Sequence, residues 1–152
     1  MIKRLIILSL LILCAFGFTA YAQQKTVINS DYAKRELLGS HLLSLQWISW
    51  DYFGRASITD KNGTLYLSGE QKGRGNSDYL KINGVITEVN RYEFKFNGKI
   101  ITHVSYNNGG EPCIREGEMT FAITGKRKYW RLQEMNDPCE EIVDYVDIYF
   151  KK

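Results

Sequence analysis

The amino-acid sequence predicts an all-β protein: a single antiparallel up-and-down meander of about 8–10 strands, closed into a small barrel and preceded by a short helix. Two observations support this prediction. Apolar and polar residues alternate along most of the chain, as in strands with one buried and one solvated face. Tight turns also alternate with other, mostly longer connections, as expected of a meander in which alternate connections share one end of the sheet.

Residues 1–22 have the three-part design of a cleavable signal peptide. Lys3 and Arg4 give a positive start, and an almost wholly apolar run leads to small residues before the expected cleavage after Ala22. The apolar run is about 14 residues, short of the roughly 20 that span a bilayer. Cys14 raises the alternative of a lipoprotein signal, but no small residue precedes it. We therefore expect a secreted or periplasmic protein without a stable membrane anchor.

Signal cleavage would leave 130 of the 152 residues, which is the length of one domain. We expect a leader and short helix over residues 23–40 and the β-barrel over residues 41–152. Two of the 20 basic residues and no acidic residue lie in the signal, so the mature chain has 18 basic and 17 acidic residues. A net charge of +1 gives no electrostatic reason to expect a nucleic-acid partner.

The mature chain keeps two cysteines, Cys113 and Cys139. An oxidising compartment favours a disulfide between them. Each follows a proline, which indicates a loop rather than a central strand. The alternative of a redox or metal pair lacks a Cys-x-x-Cys spacing and a nearby histidine. If the turns alternate as described, both cysteines fall at the same end of the sheet.

Ser30 is a suitable N-cap for a helix over Asp31 to Leu38, which Gly39 would end. Alternation with a period of two follows from residue 43 onward. The alternating runs are 43–47, 55–59, 64–68, 80–82, 85–89, 92–96, 100–106, 119–123, 130–132 and 146–150.

Tight turns are predicted at Asn62-Gly63, Asn83-Gly84 and Asn97-Gly98, because Asn-Gly suits the positive φ angles of a type I′ hairpin. Thr124-Gly125-Lys126 predicts a fourth. The other connections are expected at the opposite, open end, and the helix is expected to plug the tight-turn end. These other connections are residues 51–54, 71–77, 90–91, 107–115 and 136–141.

A secreted meander with a short N-terminal helix and one open end resembles the calycin superfamily, which comprises lipocalin-like and avidin-like barrels. The resemblance covers residues 31–150 and is architectural, because Gly39 lies eight residues before Trp47 and no Gly-x-Trp signature is present. It implies a non-enzymatic protein that holds a small apolar or amphipathic ligand in the open mouth.

The residues expected to bind that ligand come from connections at the open end. Three large rings crowd the first of these loops, and a glycine-rich basic stretch over residues 69–75 forms the next; it lacks the Gly-Lys-Ser/Thr of a phosphate loop. The candidate ligand-binding residues are Trp50, Tyr52, Phe53, Lys72, Arg74, Asn108 and Arg115.

The sequence contains no pattern of residues that indicates catalysis, a metal or a cofactor. His41 and His103 have no carboxylate or cysteine at metal-ligand spacing. The acidic residues over 134–147 do not match a calcium loop and are more typical of a solvated surface. A hydrolase with two convergent acids at the open end is the minority alternative.

The main alternative to ligand binding is a protein-interaction module, such as an inhibitor of an enzyme. Tyrosines on outward strand positions would supply its contact face, although tyrosine also suits wet strand faces for its β-propensity. An open, apolar interior would favour the small ligand, and a filled interior would favour the protein partner. The outward tyrosines are Tyr66, Tyr79, Tyr129, Tyr145 and Tyr149.

Overall fold

The computed structural model describes residues 24–151. The predicted signal peptide and its cleavage site lie outside these residues. Within residues 24–151, no helix is long and apolar enough to cross a membrane. The elements are β1 (Val27–Ile28), α1 (Asp31–Leu37), β2 (Gly39–Leu45), β3 (Gly54–Lys61), β4 (Thr64–Lys72), β5 (Tyr79–Val89), β6 (Glu93–His103), β7 (Cys113–Ala122), β8 (Tyr129–Leu132) and β9 (Val146–Tyr149), with a 3-10 turn at Asn108–Gly110.

Strands β2 to β9 form a closed antiparallel barrel of eight strands, which confirms the predicted fold class. Each strand pairs with the next one along the chain, and β9 returns to pair with β2 through Leu43 and Ile148. Strand β1 adds a short parallel pairing to the end of β5. Closure leaves the eight strands without a free edge, which is the physical advantage of a barrel over an open sheet.

Two of the predicted turns are wrong. Asn83-Gly84 and Asn97-Gly98 lie inside β5 and β6, where Gly84 and Gly98 face each other as cross-strand partners. Neither glycine has a positive φ angle, whereas Asn62 and Gly63 do, at 55° and 88°. Strands β5 and β6 therefore run unbroken for 11 residues each.

The glycines of these two pairs are needed for space rather than for turning. A Cβ atom on Gly84 would lie 2.7 Å from the Phe96 ring, and one on Gly98 would lie 2.5 Å from it. Glycine in the interior of a strand often marks such a close approach. The Phe96 ring thus occupies the room that two missing side chains leave inside the barrel.

The alternation of connections remains valid after this correction. The connections at the end that carries α1, which we call the helix end, are residues 62–63, 90–92 and 123–128. Those at the opposite end, the loop end, are residues 46–53, 73–78, 104–112 and 133–145, and each has six residues or more. Asn90-Arg91, which the sequence analysis assigned to the open end, lies at the helix end.

The barrel interior is packed with side chains. Phe94 and Phe121 stack with ring centroids 5.1 Å apart, and Phe96 meets Phe121 edge to face at 6.1 Å. Such pairs add to the stabilisation from apolar burial. The buried residues of the eight strands include Leu43, Leu45, Ala56, Ile58, Leu65, Leu67, Leu80, Ile82, Ile86, Phe94, Phe96, Ile100, Met119, Phe121, Trp130, Leu132, Val146 and Ile148.

Helix α1 begins and ends as its sequence predicts. The Ser30 hydroxyl accepts a hydrogen bond from the Ala33 amide at 3.2 Å, and Gly39 has a φ angle of +114° just after the helix. Ala33 and Leu37 are buried against the core cluster. The helix therefore covers part of the helix end.

Two side chains tie the end of α1 to the barrel. His41 has Nε2 2.6 Å from the Leu37 carbonyl and Nδ1 2.8 Å from the Tyr149 carbonyl. Carbonyls only accept hydrogen bonds, so both bonds form together when both ring nitrogens carry a proton. The Lys151 ammonium donates to the carbonyls of Arg35 and Leu38 at 3.0 and 2.7 Å. These contacts satisfy carbonyl groups that the helix itself leaves unpaired.

Candidate functional site

The candidate residues at the loop end fall into separate groups. Tyr52 accepts a hydrogen bond from the Arg74 amide at 3.0 Å, and the Arg74 guanidinium lies 4.2 Å over the Tyr52 ring. Gln71 donates to the Tyr52 carbonyl at 3.1 Å. Lys72 pairs with Glu70 at 3.3 Å. Tyr52 and Arg74 thus hold two loops together.

The other two aromatic candidates point away from this group. Trp50 is 54% exposed in the loop after β2. Phe53 packs edge to face on Tyr149, with ring centroids 5.1 Å apart, on the outer surface of the barrel. The aromatic loop therefore spreads over the surface and does not surround an opening.

Asn108 and Arg115 belong to a network on the other side of the loop end. The Asn108 amide donates to Glu140 at 2.8 Å. Arg115 donates to Asp144 at 3.2 Å and to the Asn136 carbonyl at 2.8 Å. Both residues tie the loop of residues 133–145 to neighbouring segments.

The predicted disulfide joins the loop of residues 133–145 to β7. Cys113 is the first residue of β7 and pairs with Thr102 of β6, so the prediction that it lies in a loop is wrong. Cys113 and Cys139 are bonded, with Cα atoms 5.9 Å apart, which confirms both the pairing and the prediction that they share one end of the barrel. Asp137 accepts hydrogen bonds from the amides of Cys139 and Glu140, and lies beside the Cys113 sulfur. Because bridged sulfurs carry no thiolate to bind an ion, this group of cysteine and carboxylate atoms is not a metal site.

Asp144 is a buried acidic residue at the loop end, where it is 1% exposed. It accepts a hydrogen bond from the Trp47 indole at 3.0 Å and pairs with Arg115. Burial raises the pKa of the Asp144 carboxyl from 3.8 to about 6; its hydrogen bond with Asp137 adds to the rise, and the Arg115 charge opposes it. Asp144 and the fully buried Asp147 show that the acidic stretch is not a solvated loop throughout.

The network around Asp144 encloses little space, and a separate open pocket of about 240 Å³ at the same end is lined by Lys72 but by none of the other candidate residues. A cavity of about 10 Å³ lies among Trp47, Asn108, Asp137 and Asp144, which is about the room of one water molecule. The structure does not bring the predicted ligand-binding residues together around a common cavity.

A larger cavity lies at the opposite end, between α1 and the barrel. Its volume is about 500 Å³, and we call it the helix-end cavity. Helix α1 forms one wall, and the turns after β5 and β7 form others. Its lining residues are Tyr32, Ala33, Glu36, Arg91, Tyr92, Ile123, Gly125, Trp130 and Phe150.

The floor of the helix-end cavity is apolar and its rim is polar. Trp130 and Phe150 meet with ring centroids 4.4 Å apart, and Trp130 continues into the aromatic core through Phe94. The rim tyrosines, Tyr32 and Tyr92, are 54% and 61% exposed. A cavity with a packed aromatic floor keeps its shape without a ligand, which favours binding.

Among the described residues, the rim charges lack ionic partners, although Arg91 donates a hydrogen bond to the Tyr92 hydroxyl at 3.2 Å. The Arg91 guanidinium lies 5.6 Å from the ring centroids of both Tyr32 and Tyr92. Within residues 24–151, neither Arg91 nor Glu36 forms an ion pair with another side chain. The rim thus offers one cation, one anion and two phenols above an apolar floor.

This site was not among those predicted from the sequence. Tyr92 was assigned only to the alternating run of residues 92–96, and the connection that contains Arg91 was placed at the open end. The prediction that α1 plugs the tight-turn end was the available signal, because a helix laid across a barrel mouth leaves clefts where it meets the turns.

The fold and the cavity define a small, disulfide-bridged β-barrel with a preformed pocket beside its terminal helix. The chain belongs to the PM1083 family, which matches residues 25–150. It is 41% identical over 149 residues to a Pasteurella multocida (strain Pm70) protein named "Uncharacterized protein PM1083", covering 98% of this chain and 96% of that protein. No solved structure matches the chain. The closed barrel in the structure confirms the predicted architecture. The comparisons give no support for membership of a calycin family.

Proposed function

We propose that this protein is an exported, non-enzymatic binding protein that takes a small amphipathic ligand in the helix-end cavity. The observation that carries the proposal is the cavity itself. A volume of about 500 Å³ lies within the range of small-molecule sites. The proposal moves the ligand from the loop end, where the sequence analysis expected it, because side chains fill the barrel interior and buried contacts occupy that end.

The lining of the cavity supports an amphipathic ligand. An apolar body would lie on Trp130, Phe150 and Ile123, where it would displace water from apolar surface. A polar head would meet Arg91, Glu36 and the tyrosine hydroxyls at the rim. Tyr92 and Tyr32 would contact both parts, because a phenol ring has an apolar face and a polar tip.

Binding rather than catalysis is proposed because of what lines the cavity. Glu36 is the one carboxylate among the lining residues, and these include no histidine, cysteine or serine. The lining therefore has neither a pair of convergent carboxylates nor a nucleophile beside a base. Asp144, a carboxyl whose pKa is raised by burial, belongs to the loop end.

Export is supported by the Cys113–Cys139 disulfide, because such bonds persist in oxidising compartments. The proposed location is the periplasm or the extracellular medium. Alkylation of free thiols in freshly isolated protein tests this part: the expected result is no labelling of either cysteine without prior reduction.

Binding of 1-aminoanthracene, a neutral dye that fluoresces in apolar sites, tests the cavity. Tyr92→Ser removes a rim ring and is expected to weaken dye binding by about tenfold. Tyr106→Ser is the matched control, because Tyr106 is 65% exposed at the loop end and should leave the affinity unchanged. Equal affinities of the two variants would contradict the helix-end site. Native mass spectrometry of protein purified from its host would then identify the natural ligand.

A protein-interaction module is the second candidate, and a cluster on the outer face favours it. The Arg131 guanidinium lies 4.1 Å from the Tyr145 ring and 5.2 Å from the Tyr129 ring, and Tyr129 lies 5.3 Å from Tyr149. Tyrosine and arginine are enriched at protein interfaces. A partner captured from the host and lost on Tyr145→Ser, but retained on Tyr92→Ser, would favour this function over the ligand site.

A further inference from the structure

A second cavity, of about 540 Å³, opens on the outer face of the barrel. It lies where the first residues of β2 and β3 meet the end of β9 and the segment just before β8. We call it the basic groove. Phe150 is the one residue that lines both the basic groove and the helix-end cavity, so the two lie on either side of the C-terminal chain.

Among the described residues, the basic groove is lined by three cations and by no carboxylate. These cations are Arg55, Lys128 and Lys151. Within residues 24–151 none of the three forms an ion pair, and all are exposed. Lys151 donates to the carbonyls of Arg35 and Leu38 at the end of α1, which hold its ammonium in place. The positive charges therefore add in one place.

The groove differs from the parts of the surface where basic and acidic side chains pair, as Lys34 of α1 does with Asp60 at 2.7 Å and Lys99 does with Glu116 at 3.3 Å. Here three cations line one cavity, and among the described residues none of them has a carboxylate partner. Like charges in a shared cavity repel one another, which costs stability unless an anion binds between them.

The base of the groove is apolar and held in place. Leu42, Tyr149 and Phe150 contribute its apolar surface. The Tyr149 ring is fixed between Phe53 and Tyr129, with centroids 5.1 and 5.3 Å away. Burial raises the pKa of the Tyr149 phenol, so its hydroxyl stays neutral at physiological pH. A neutral phenol does not repel an anion.

We infer that the basic groove is a second binding site, for an amphipathic anion that carries a phosphate or carboxylate head on an apolar chain. The head would lie between Arg55 and Lys128, because a guanidinium can bind such a group through two hydrogen bonds while an ammonium binds it as a point charge. The chain would lie along Leu42 and Phe150. The inference does not depend on the helix-end cavity.

Decyl phosphate, used below its micelle concentration and titrated by calorimetry, tests this site. Saturable binding is expected, and the double variant Arg55→Gln/Lys128→Gln should weaken it at least tenfold. Lys126→Gln is the matched control, because Lys126 is exposed in the same turn but does not line the groove. Both substituted side chains are exposed and their charges repel, so the double variant should unfold at the same temperature as the parent protein or a slightly higher one.

Decanol has the apolar chain of decyl phosphate without its head, and inorganic phosphate resembles the head without the chain. Each should bind at least tenfold more weakly than decyl phosphate. Absence of saturable decyl phosphate binding, or equal loss in the Lys126→Gln control, would overturn the inference. Tyr92→Ser should leave decyl phosphate binding intact, which distinguishes failure here from failure of the helix-end site.

Vesicles of phosphatidylcholine with 20% phosphatidylglycerol distinguish the source of the anion. Co-sedimentation that the double variant abolishes would support the site with a lipid headgroup as its ligand. Decyl phosphate binding without co-sedimentation would support it with a free amphiphile.

Discussion

The two ends of the barrel are closed by different kinds of contact. At the loop end, the Cys113–Cys139 disulfide and the buried Arg115–Asp144 pair tie the connection of residues 133–145 to the start of β7, and the Trp47 indole ties it to the connection after β2. These segments enclose a cavity of about 10 Å³. At the helix end, α1 lies over short turns, is held by hydrogen bonds to its last carbonyls, and leaves a cavity of about 500 Å³ beside it.

The comparison shows that long loops need not form the open mouth of a barrel. Long connections carry enough side chains to hydrogen-bond and cross-link with one another, and here they cover their own end. Two of the three turns at the helix end have only two or three residues and cannot reach across the barrel mouth, and α1 covers part of it instead. The junction between helix and turns then leaves space for a ligand.

The largest expected effect comes from breaking the loop end. The double variant Cys113→Ser/Cys139→Ser removes a bridge between residues separated by 26 positions and should lower the free energy of unfolding by about 3–4 kcal/mol. Urea denaturation of parent and variant measures this loss. Dye affinity at the helix end should stay within twofold wherever the variant is folded; a parallel loss of affinity would show that the two ends are not independent.

A smaller effect is expected from the buried ion pair. Arg115→Gln leaves the Asp144 carboxyl without its cation, which should cost about 3 kcal/mol at pH 7.5, in line with other broken buried pairs. The loss should shrink at pH 5, because Asp144 can then take up a proton and become neutral. Urea denaturation at both pH values provides the measurement.

The sign of this pH dependence follows from the raised pKa of Asp144. A carboxyl whose pKa rises from 3.8 to about 6 on folding binds a proton more tightly in the folded state. Its contribution to stability is therefore fully present below pH 3.8 and is lost as the pH rises to about 6. The Arg115 charge lowers the pKa of Asp144, so this pKa should rise further in Arg115→Gln. The contribution of Asp144 to stability should then be lost at a higher pH than in the parent protein. An equal cost of Arg115→Gln at pH 5 and 7.5 would contradict this explanation.

The smallest expected effect is at the helix end. Ser30→Ala removes the N-cap of α1 and should lower the free energy of unfolding by about 1 kcal/mol. Because α1 forms a wall of the cavity, the same change should weaken dye binding a few-fold.

Ser49→Ala is the matched control at the loop end, where the Ser49 hydroxyl accepts hydrogen bonds from the amides of Asp51 and Tyr52. It should cost a similar free energy without changing dye affinity. Weakened dye binding in Ser49→Ala would place the ligand at the loop end after all.

Local patterns in the sequence were sufficient for the fold class. Alternation with a period of two identified the strands, and Ser30 and Gly39 marked the start and end of α1. The shared end of Cys113 and Cys139 followed from counting connections. These inferences succeed because each depends on neighbours within a few residues or on the parity of the chain path.

Asn-Gly was a less reliable signal. At Asn62-Gly63 the pair forms the turn that its φ angles favour, while at Asn83-Gly84 and Asn97-Gly98 the glycines make room for the Phe96 ring. A local rule cannot separate these cases, because the reason for the second lies on a neighbouring strand and on the packing of the interior.

Taken alone, the sequence determined that this chain forms an antiparallel meander with one capped helix and a disulfide at one end of the barrel, because those features depend on local propensity and on chain order. The tertiary structure alone decided which end is closed and where the cavities lie. Asp144 is buried because Arg115 and Trp47 reach it from other strands and loops, and the helix-end cavity exists because α1 and two distant turns meet there. Such contacts depend on how distant segments pack, which no local pattern encodes.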